Sequence, residues 1–481
     1  MKLTDLLKGV EIVKIIGKKD INVKEVVFDS NKVVLDSLFI CIVGKDFDGH
    51  EYVKQAQHYG ATAIVCEKEI DTPLTQVVVE NSRLAMSKIA SNFYSRVDKK
   101  MKLVAVIGTN GKTTTAHLIY NVLRNSNVKC GLIGTLGTYY ANKYIEPSLT
   151  TPDPLELHKT LYEMYSQGVR TVVMEVSAHA IYLDKVKNIE FFCAVFTNFS
   201  QDHLDFFANM ENYKNAKLKF FKENKCKHVV VNSDDKVGLE ILKIRDDALS
   251  FGMDNPSDVF AINVNCKQKK STFFINLFDH VGQVELNMLG FFNVYNALAC
   301  SSVCYLLGEK PEKIIKALGV VKGVDGRLER VYSKDFDIII DYAHTPDGLN
   351  KTLLAIRPLV NNRLICVFGC GGNRDQTKRK LMGKISGSLA DYTIITSDNP
   401  RYEEPMEIIN HIEEGVREKT KRYILIEERE DAIKYAIDIA VKGDIILIAG
   451  KGSERYQEVL GIKKLYNDKD TVNEYLRSIK D

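Results

Sequence analysis

No stretch of the 481-residue chain approaches the ~20 consecutive apolar residues of a membrane span. The opening segment MKLTDLLKGVEIVK carries Asp5, Lys8 and Glu11 where a secretory leader needs an unbroken apolar run. An excess of one charge is also missing. Lys and Arg total 66 against 63 Asp and Glu, a net charge of +3, so there is no basic surplus to hold a phosphate backbone, and nucleic acid is not an expected partner. The 10 cysteines include no C-x-x-C pair and have no histidine at metal-ligand spacing. They read as small apolar core residues in a reducing compartment, which argues against a zinc site. Tryptophan is absent, which excludes nothing. Internal repeats and low-complexity segments are lacking as well. A soluble cytoplasmic protein without a membrane or nucleic-acid partner is the expectation.

What is present suffices for several cores. At ~150 residues per domain the length points to about three domains, and the sequence divides accordingly. Residues 1–99 hold short β-branched runs (KEVVFDS, SLFICIVG, ATAIVC, TQVVVE) and two helix patterns, HEYVKQAQHYG and SRLAMSKIASNFYSR, the second with Leu84, Ile89 and Phe93 at helical spacing. This predicts a small N-terminal α/β domain. Residues 100–326 alternate buried-strand runs (KLVAVI, TVVMEVS, FFCAVFTNFS, HVVVNSDD) with longer helix-compatible stretches, which implies a central α/β domain with a mainly parallel sheet and helices on its faces. Within it, DVFAINVNC and STFFINLFD suggest an antiparallel excursion, with Lys267, Lys269 and Lys270 in a solvated turn. Residues 327–481 alternate again (DIIIDYAH, RLICVFGCGG, YTIITSDNP, YILIEE, DIILIAGKGS), predicting a Rossmann-like, doubly wound C-terminal domain. In such sheets ligands lie beyond the C-terminal ends of strands.

The stretch LVAVIGTNGKTTTAHLIYNVL from Leu103 is a strand, a small-residue turn and a helix. It looks like a phosphate-binding loop, but Gly108 precedes Gly111 by three positions, shorter than the usual G-x-x-x-x-G-K-[ST] spacing. The backbone of Gly108, Thr109, Asn110 and Gly111 and the helix start favour a polyphosphate. Lys112 suits the β- and γ-phosphates, and Thr113 or Thr114 can offer a hydroxyl to Mg²⁺. At the ends of the following strands stand Glu175, Ser177 and His179, then Asn198, Asp202 and His203. A carboxylate and an imidazole beside a phosphate loop are candidate Mg²⁺ ligands, although His203 alone would read as a hydrogen-bonded loop residue. ENYKNAKLKFFKEN offers Lys214, Lys217, Lys219 and Lys222, and residue chemistry alone does not choose among them.

GTNGKTTT, TTPDP, MEVSAHA, NFSQDHLD, YKNAKLKFF, GFFNVYNALA, GRLERV, DYAHTPDGL and DNPRYEEP follow one another in this order. Together they resemble the Mur ligases, the ATP-dependent amino-acid-adding enzymes of peptidoglycan synthesis, across the whole chain. The pattern is most similar to the branch that adds the third residue of the stem peptide. The short loop is a mark of the superfamily, which includes folylpolyglutamate synthetases. The resemblance implies that Lys217 is carbamylated and holds Mg²⁺ with His203, while Glu175 and Thr113 serve a second metal. It implies that Asn293, Arg327 and Asp341 contact the nucleotide. It assigns Ser30 to the uridine end and Thr150, Thr151 and Ser177 to the sugar or peptide of a UDP-muramoyl dipeptide. Asn31 departs from the family's D-S-R, and Lys185 stands where an arginine is general, keeping the charge but losing the fork. The implied reaction activates the acceptor acid as an acyl phosphate with ATP, and an amine then displaces phosphate. A monomer acting on small molecules is the expectation.

The choice of amino acid falls to the third segment. In SDNPRYEEP, Asp398 and Asn399 offer polar groups, Pro400 stiffens the turn and Arg401 presents a fork suited to a carboxylate. Diaminopimelate has a carboxylate and an amine at its far end, and lysine has only the amine, so Arg401 argues for diaminopimelate. In the family, D-N-P-R resembles the signature of the meso-diaminopimelate-adding type, with a lysine-adding enzyme as the alternative. Arg374 in VFGCGGNRDQTKRK would grip the amino acid, by the same resemblance. Gly450 and Glu454 follow another strand, Glu454 being a candidate to neutralise the distal ammonium. Lys378, Arg379 and Lys380 read as the exposed face of the next helix. A P-loop NTPase switch, hydrolysing ATP without an amino acid, is the reading from another class.

Overall fold

The computed structural model describes residues 1–44, 47–266 and 270–479. Lys267 and Lys269 of the expected solvated turn lie outside the described residues. Lys270 is exposed and pairs with Glu285 at 3.5 Å. The chain forms two compact units, one of residues 1–107, 127–195 and 216–229, the other of residues 108–126, 196–215 and 230–481.

In the first unit, a five-stranded sheet runs Lys14–Ile16, Thr75–Val78, Ala61–Cys66, Ser37–Ile40, Glu25–Val27. Only the Lys14–Ile16 pairing is antiparallel. The sheet is covered on both faces. Ala85, Met86, Ile89 and Ala90 of helix Ser82–Phe93 share a core with Leu38, Ile40, Val65 and Val77. Val53 and Ala56 of helix Val53–His58 meet Phe39 and Ile64. Because strand side chains alternate between faces, burial on both sides produces the near-continuous apolar runs seen in the sequence. The same unit contains Phe191–Phe196 up to Val195, Lys102–Ile107, Thr171–Glu175 and Cys130–Gly134 side by side, extended by the antiparallel Gly137–Tyr140 and Lys143–Ile145. Every residue of Thr171–Glu175 is buried.

In the second unit, Val230–Asn232 pairs in parallel with the strand Leu249–Gly252, which pairs in parallel with Val259–Asn265. Val259–Asn265, Ser271–Leu277 and His280–Leu286 then pair antiparallel, as the sequence predicts. A six-stranded sheet follows in the order Glu329–Ser333, Asp337–Asp341, Ile445–Ala449, Leu364–Phe368, Tyr392–Ile395, Tyr423–Leu425. Only its first pairing is antiparallel. Helices Pro346–Ile356, Thr377–Leu389 and Pro405–Arg417 pack on one face, and Arg429–Asp438 and Asp468–Ser478 on the other. This is the doubly wound arrangement expected, and mostly parallel α/β sheets characterise both units. Among the described residues no helix is long and apolar enough to cross a membrane.

Candidate active site

The glycine-rich turn lies in the second unit. Gly108 has φ +155° and Gly111 φ +81°. A Cβ on Gly108 would stand 1.9 Å from Thr197 Oγ1, and one on Gly111 2.6 Å from Asn296 Oδ1, so both positions require glycine on steric as well as conformational grounds. The turn is clamped by the segment after strand Phe191–Phe196. Thr109 N donates to Asn198 O (2.9 Å), Asn110 N to Asn198 Oδ1 (3.0 Å), and Asn198 Nδ2 and Thr197 Oγ1 to Asn110 O (3.0 and 2.7 Å). Gly111 is the N-cap of helix Lys112–Asn125 and offers no side-chain acceptor to its first N–H groups, which suits an anion at the positive end of the helix. Lys112 Nζ curls back onto Gly108 O (3.0 Å) and Thr109 O (2.8 Å).

Arg327, Asp341 and Asn293 belong to the same unit and are tied to this turn. Arg327 donates to Thr113 Oγ1 at 3.1 Å and lies over the Tyr342 ring at 4.0 Å. The buried Asp341 carboxylate accepts from Leu328 N, Ala343 N and Thr352 Oγ1. Burial raises its pKa above the usual value, opposed by the nearby Arg327 charge. Asn293 links through Asn296 to Thr115 (2.9 and 3.1 Å). Asn110 also donates to Asp347 (3.0 Å).

Asp202 Oδ2 lies 3.3 Å from His203 Nε2 and 3.7 Å from His344 Nε2. Burial opposes its ionisation, but the His344 hydrogen bond and the His203, His344 and Lys378 charges hold it well below the ordinary carboxylate range. His203 itself has φ +56°. Asp205 and Gln201 of the same loop reach the turn after Leu364–Phe368, where Arg374 stands 3.6 Å from Asp205 and Gln201 donates to Asp375 at 3.2 Å.

Three turns follow the neighbouring strands Ile445–Ala449, Leu364–Phe368 and Tyr392–Ile395. Gly372 N donates to Asn399 O (2.9 Å), and Arg401 Nη1 to Gly372 O (2.8 Å). Gly450 has φ +115°, and a Cβ there would stand 2.6 Å from Asp398 Oδ2. Asn399 accepts from Lys451 (2.9 Å) and donates to Glu454 (3.0 Å). Pro400 is buried beneath. Arg374, Asp398, Asn399, Pro400, Arg401, Gly450 and Glu454 thus gather at one end of one sheet.

The helix behind corrects one expectation. Only Lys380 of the Lys378–Arg379–Lys380 run is exposed. Arg379 is fully buried, and its Nη2 donates to both carboxylate oxygens of Glu403 (2.9 and 2.8 Å). The cause is close helix packing. A Cβ on Gly383 would stand 2.1 Å from Ile412 O, and one on Gly415 2.0 Å from Lys380 O, so the two helices approach too nearly to leave that face in water.

In the first unit the wholly buried Glu175 ends its strand and accepts from Thr135 N (2.8 Å) and Thr135 Oγ1 (3.1 Å). Thr150 Oγ1 is 3.1 Å from Thr135 Oγ1. Thr151 Oγ1 donates to Glu175 O (2.9 Å) and accepts from Ser177 N (3.0 Å). Four predicted residues therefore converge here. Lys185 pairs with Asp153 of the TTPDP stretch at 2.8 Å. Ser30 donates to Gln55, which donates to Asn31 (both 3.2 Å). On helix Met210–Glu223, Lys217 is buried at 1% exposure, whereas Lys214 and Lys219 are partly exposed and Lys222 is exposed. Among the described residues no group of three or more His, Cys, Asp or Glu forms a metal cage.

Sequence reasoning assigned no role to Tyr342, His344, Asn296, Asp347, Lys451 or Glu458. Tyr342 and His344 follow strand Asp337–Asp341, and Lys451 follows Ile445–Ala449, so the strand-end rule could have found these three. The others are side-chain partners that only the fold brings together.

Residues 22–102 match the Mur ligase family catalytic domain, residues 106–304 the Mur ligase middle domain and residues 326–452 the Mur ligase glutamate ligase domain. The chain belongs to the Mur ligase family. Among its relatives, the UDP-N-acetylmuramoyl-L-alanyl-D-glutamate–2,6-diaminopimelate ligase of Alkaliphilus oremlandii is 44% identical, covering 97% of both chains. The counterpart called ligase 1 in Clostridium acetobutylicum is 41% identical over 100% of both. A solved structure of a ligase of that name superposes with a TM-score of 0.71 at 27% identity, covering 100% of this chain and 99% of the other.

Proposed function

We propose that this chain joins 2,6-diaminopimelate to UDP-N-acetylmuramoyl-L-alanyl-D-glutamate at the expense of ATP. The observation that carries the reading is the D-N-P-R turn, with Arg401 held at the strand ends of a sheet whose neighbouring turns present Arg374, Gly450 and Glu454, in a chain related along its whole length to ligases of that name. A guanidinium at that place suits the second carboxylate of diaminopimelate, which lysine lacks.

In this reading residues 1–99 hold the uridine end through Ser30, residues 100–326 the nucleotide, and residues 327–481 the amino acid. The three matched spans support that division. Thr150, Thr151, Ser177 and Lys185 serve the acceptor. Gly108–Thr114, Asn293, Arg327 and Asp341 hold ATP, with Lys112 leaving its loop carbonyls for the phosphates. Arg374, Asp398, Asn399, Pro400, Arg401, Gly450 and Glu454 line the diaminopimelate site. The acceptor carboxylate attacks the γ-phosphorus and ADP departs. The amine then attacks the acyl phosphate carbon, loses its proton and expels phosphate. Lys112 and Arg327 offset charge on the phosphates, and the chain otherwise positions reactants.

The donors suit Mg²⁺. Thr113 and Glu175 offer hard oxygens of the kind Mg²⁺ takes. In this reading Lys217, as a carbamate, and His203 would hold one Mg²⁺ and Glu175 and Thr113 a second, and the ions would supply neutralisation of phosphate charge. A buried ammonium at Lys217 is costly. Addition of CO₂ to the neutral amine with loss of a proton gives an anionic carbamate suited to such a cation. The protein acts as a monomer in the cytoplasm, which sedimentation and fractionation check.

The test is phosphate release with UDP-muramoyl dipeptide, ATP and a panel of amino acids. Release should depend on diaminopimelate. Equal turnover of lysine overturns the specificity, and release without any amino acid overturns the ligase reading.

A further inference from the structure

The near-even charge of the whole chain conceals a local imbalance. Strands that begin at Cys226, Phe191, Lys102, Thr171 and Cys130 lie side by side in the first unit. Their starts are level. Thr171 pairs with Lys102 on one side and Cys130 on the other, and Phe191 N donates to Lys225 O at 2.8 Å. Four of the five starts carry cations. Lys225 and Lys227 flank Cys226, Lys102 follows Lys99 and Lys100, Arg170 precedes Thr171, and Lys129 precedes Cys130. All seven are exposed. At an interstrand spacing of ~4.8 Å the row spans about 19 Å.

Little on this edge answers that charge. Of the acids in the segments leading into these strands, Asp98 is buried and Glu223 is paired with Lys187. Glu190 is shared by Lys99 at 3.5 Å and Lys225 at 3.8 Å. Seven cations against that one shared carboxylate leave six net positive charges. Cations beside a helix C-terminus can serve its dipole. Arg170 does so, donating to Tyr165 O (2.9 Å) on helix Pro154–Ser166. Its guanidinium lies over the Tyr165 ring at 3.8 Å, with Lys100 on the same ring at 5.8 Å. Lys102 and Lys227 lie over Phe192 at 4.9 and 5.6 Å. Like charges gathered so closely repel one another and weaken the fold, so the row calls for an anion from outside.

Lysines dominate the row, and an ammonium is a compact point charge without the fork that grips one phosphate bidentately. Such charges suit many phosphates spread over a surface. Both rings already carry the protein's own cations, which leaves them poorly placed to stack on a nucleic-acid base or to anchor a protein partner. We propose that this edge of strand starts is a docking surface for an anionic lipid bilayer, held reversibly by charge alone. None of its cations is proposed to bind substrate, and the surface does not depend on the reaction proposed above.

The experiment is co-sedimentation of the full chain with vesicles of phosphatidylcholine, alone or with one-third phosphatidylglycerol. The wild type should sediment with the anionic vesicles at ~0.05 M salt and leave them at ~0.5 M, where the screening length falls to about 4 Å. It should ignore phosphatidylcholine alone. Lys99→Gln, Lys102→Gln and Lys225→Gln together should weaken binding about a hundredfold, at about fivefold for each lysine near the surface. Lys310→Gln, Lys313→Gln and Lys316→Gln remove the same charge from exposed positions at helix Pro311–Val320. They should weaken binding less than about fivefold, since charges away from the contact are screened. Thermal melts of both triple variants should be no lower than the wild type. Absence of binding to the anionic vesicles, or equal loss in the two triple variants, would overturn the proposal. So would tighter binding to a single-stranded oligonucleotide at the same salt, lost in the first triple variant, because that marks a nucleic-acid surface.

Discussion

Replacing Asp468 by asparagine should loosen the sheet end of the second unit that carries the proposed amino-acid site, without touching any residue proposed to bind substrate. Arg429 and Asp468 are both fully buried and joined by two parallel bonds of 2.8 Å. Arg429 also donates to Ala449 O (3.0 Å) and Ser397 O (3.4 Å), the residues that lead into Gly450 and Asp398. Burial works against the arginine's charge, and the Asp468 carboxylate more than offsets it, so the Arg429 pKa stands above its ordinary value. Removing one partner of such a pair costs about 3–5 kcal/mol, because the other charge is left buried and alone. Asparagine keeps one acceptor oxygen, which places Asp468→Asn near about 3 kcal/mol and Asp468→Ala near about 5. The assay is native-state hydrogen exchange in peptides covering Ser397–Asn399 and Ala449–Gly452. A cost of about 3 kcal/mol accelerates exchange there roughly a hundredfold where opening limits it. Arg429→Met combined with Asp468→Leu removes both charges and should cost less than Asp468→Asn alone. Acceleration below about threefold, or a double variant as open as the sum of the singles, would refute the reasoning.

Gly108→Ala should lower kcat/KM for ATP about a hundredfold, because the Cβ would press on Thr197 Oγ1 and displace the loop; unchanged ATP kinetics would contradict this. Lys217→Met should abolish phosphate release, and wild-type protein in isotopically labelled bicarbonate should give a carbamate signal that the variant lacks. Stability should fall as pH drops below about 6.5, the ordinary histidine value. His158 is fully buried beside Asp98, and burial depresses its pKa in the fold. The unfolded chain therefore binds the proton first, and the fold loses stability as pH falls. His158→Leu should flatten that slope in thermal melts taken across the range.

The strands were readable because parallel strands buried on both faces appear as uninterrupted apolar runs, as at Leu364–Phe368 and Ile445–Ala449, where every residue is buried. The candidate site was readable where it lies in sequence-contiguous turns at strand ends. What escaped needed either a finer look or the fold itself. Lys217 could have been distinguished from its neighbours. Tyr213, Phe220 and Phe221, at i−4, i+3 and i+4, are buried, so Lys217 sits on the helix's apolar stripe. Arg379 had no such marker, since its buried stripe includes Gly383, Ser386 and Gly387, small residues that read as neutral. Glu458 pairs with Arg401 from more than fifty positions away, and no local pattern announces that pairing.

The glycine-rich turn proposed to hold ATP has one more implication. Asn198 binds the peptide groups of Thr109 and Asn110 with its own carbonyl and side-chain amide. A crosslink of that kind makes the cradle a preset mould. The entropy of ordering it is spent during folding, so in the proposed reaction little of the triphosphate's binding energy is diverted to shaping the receptacle, and more is left to align the attacking carboxylate oxygen with the γ-phosphorus.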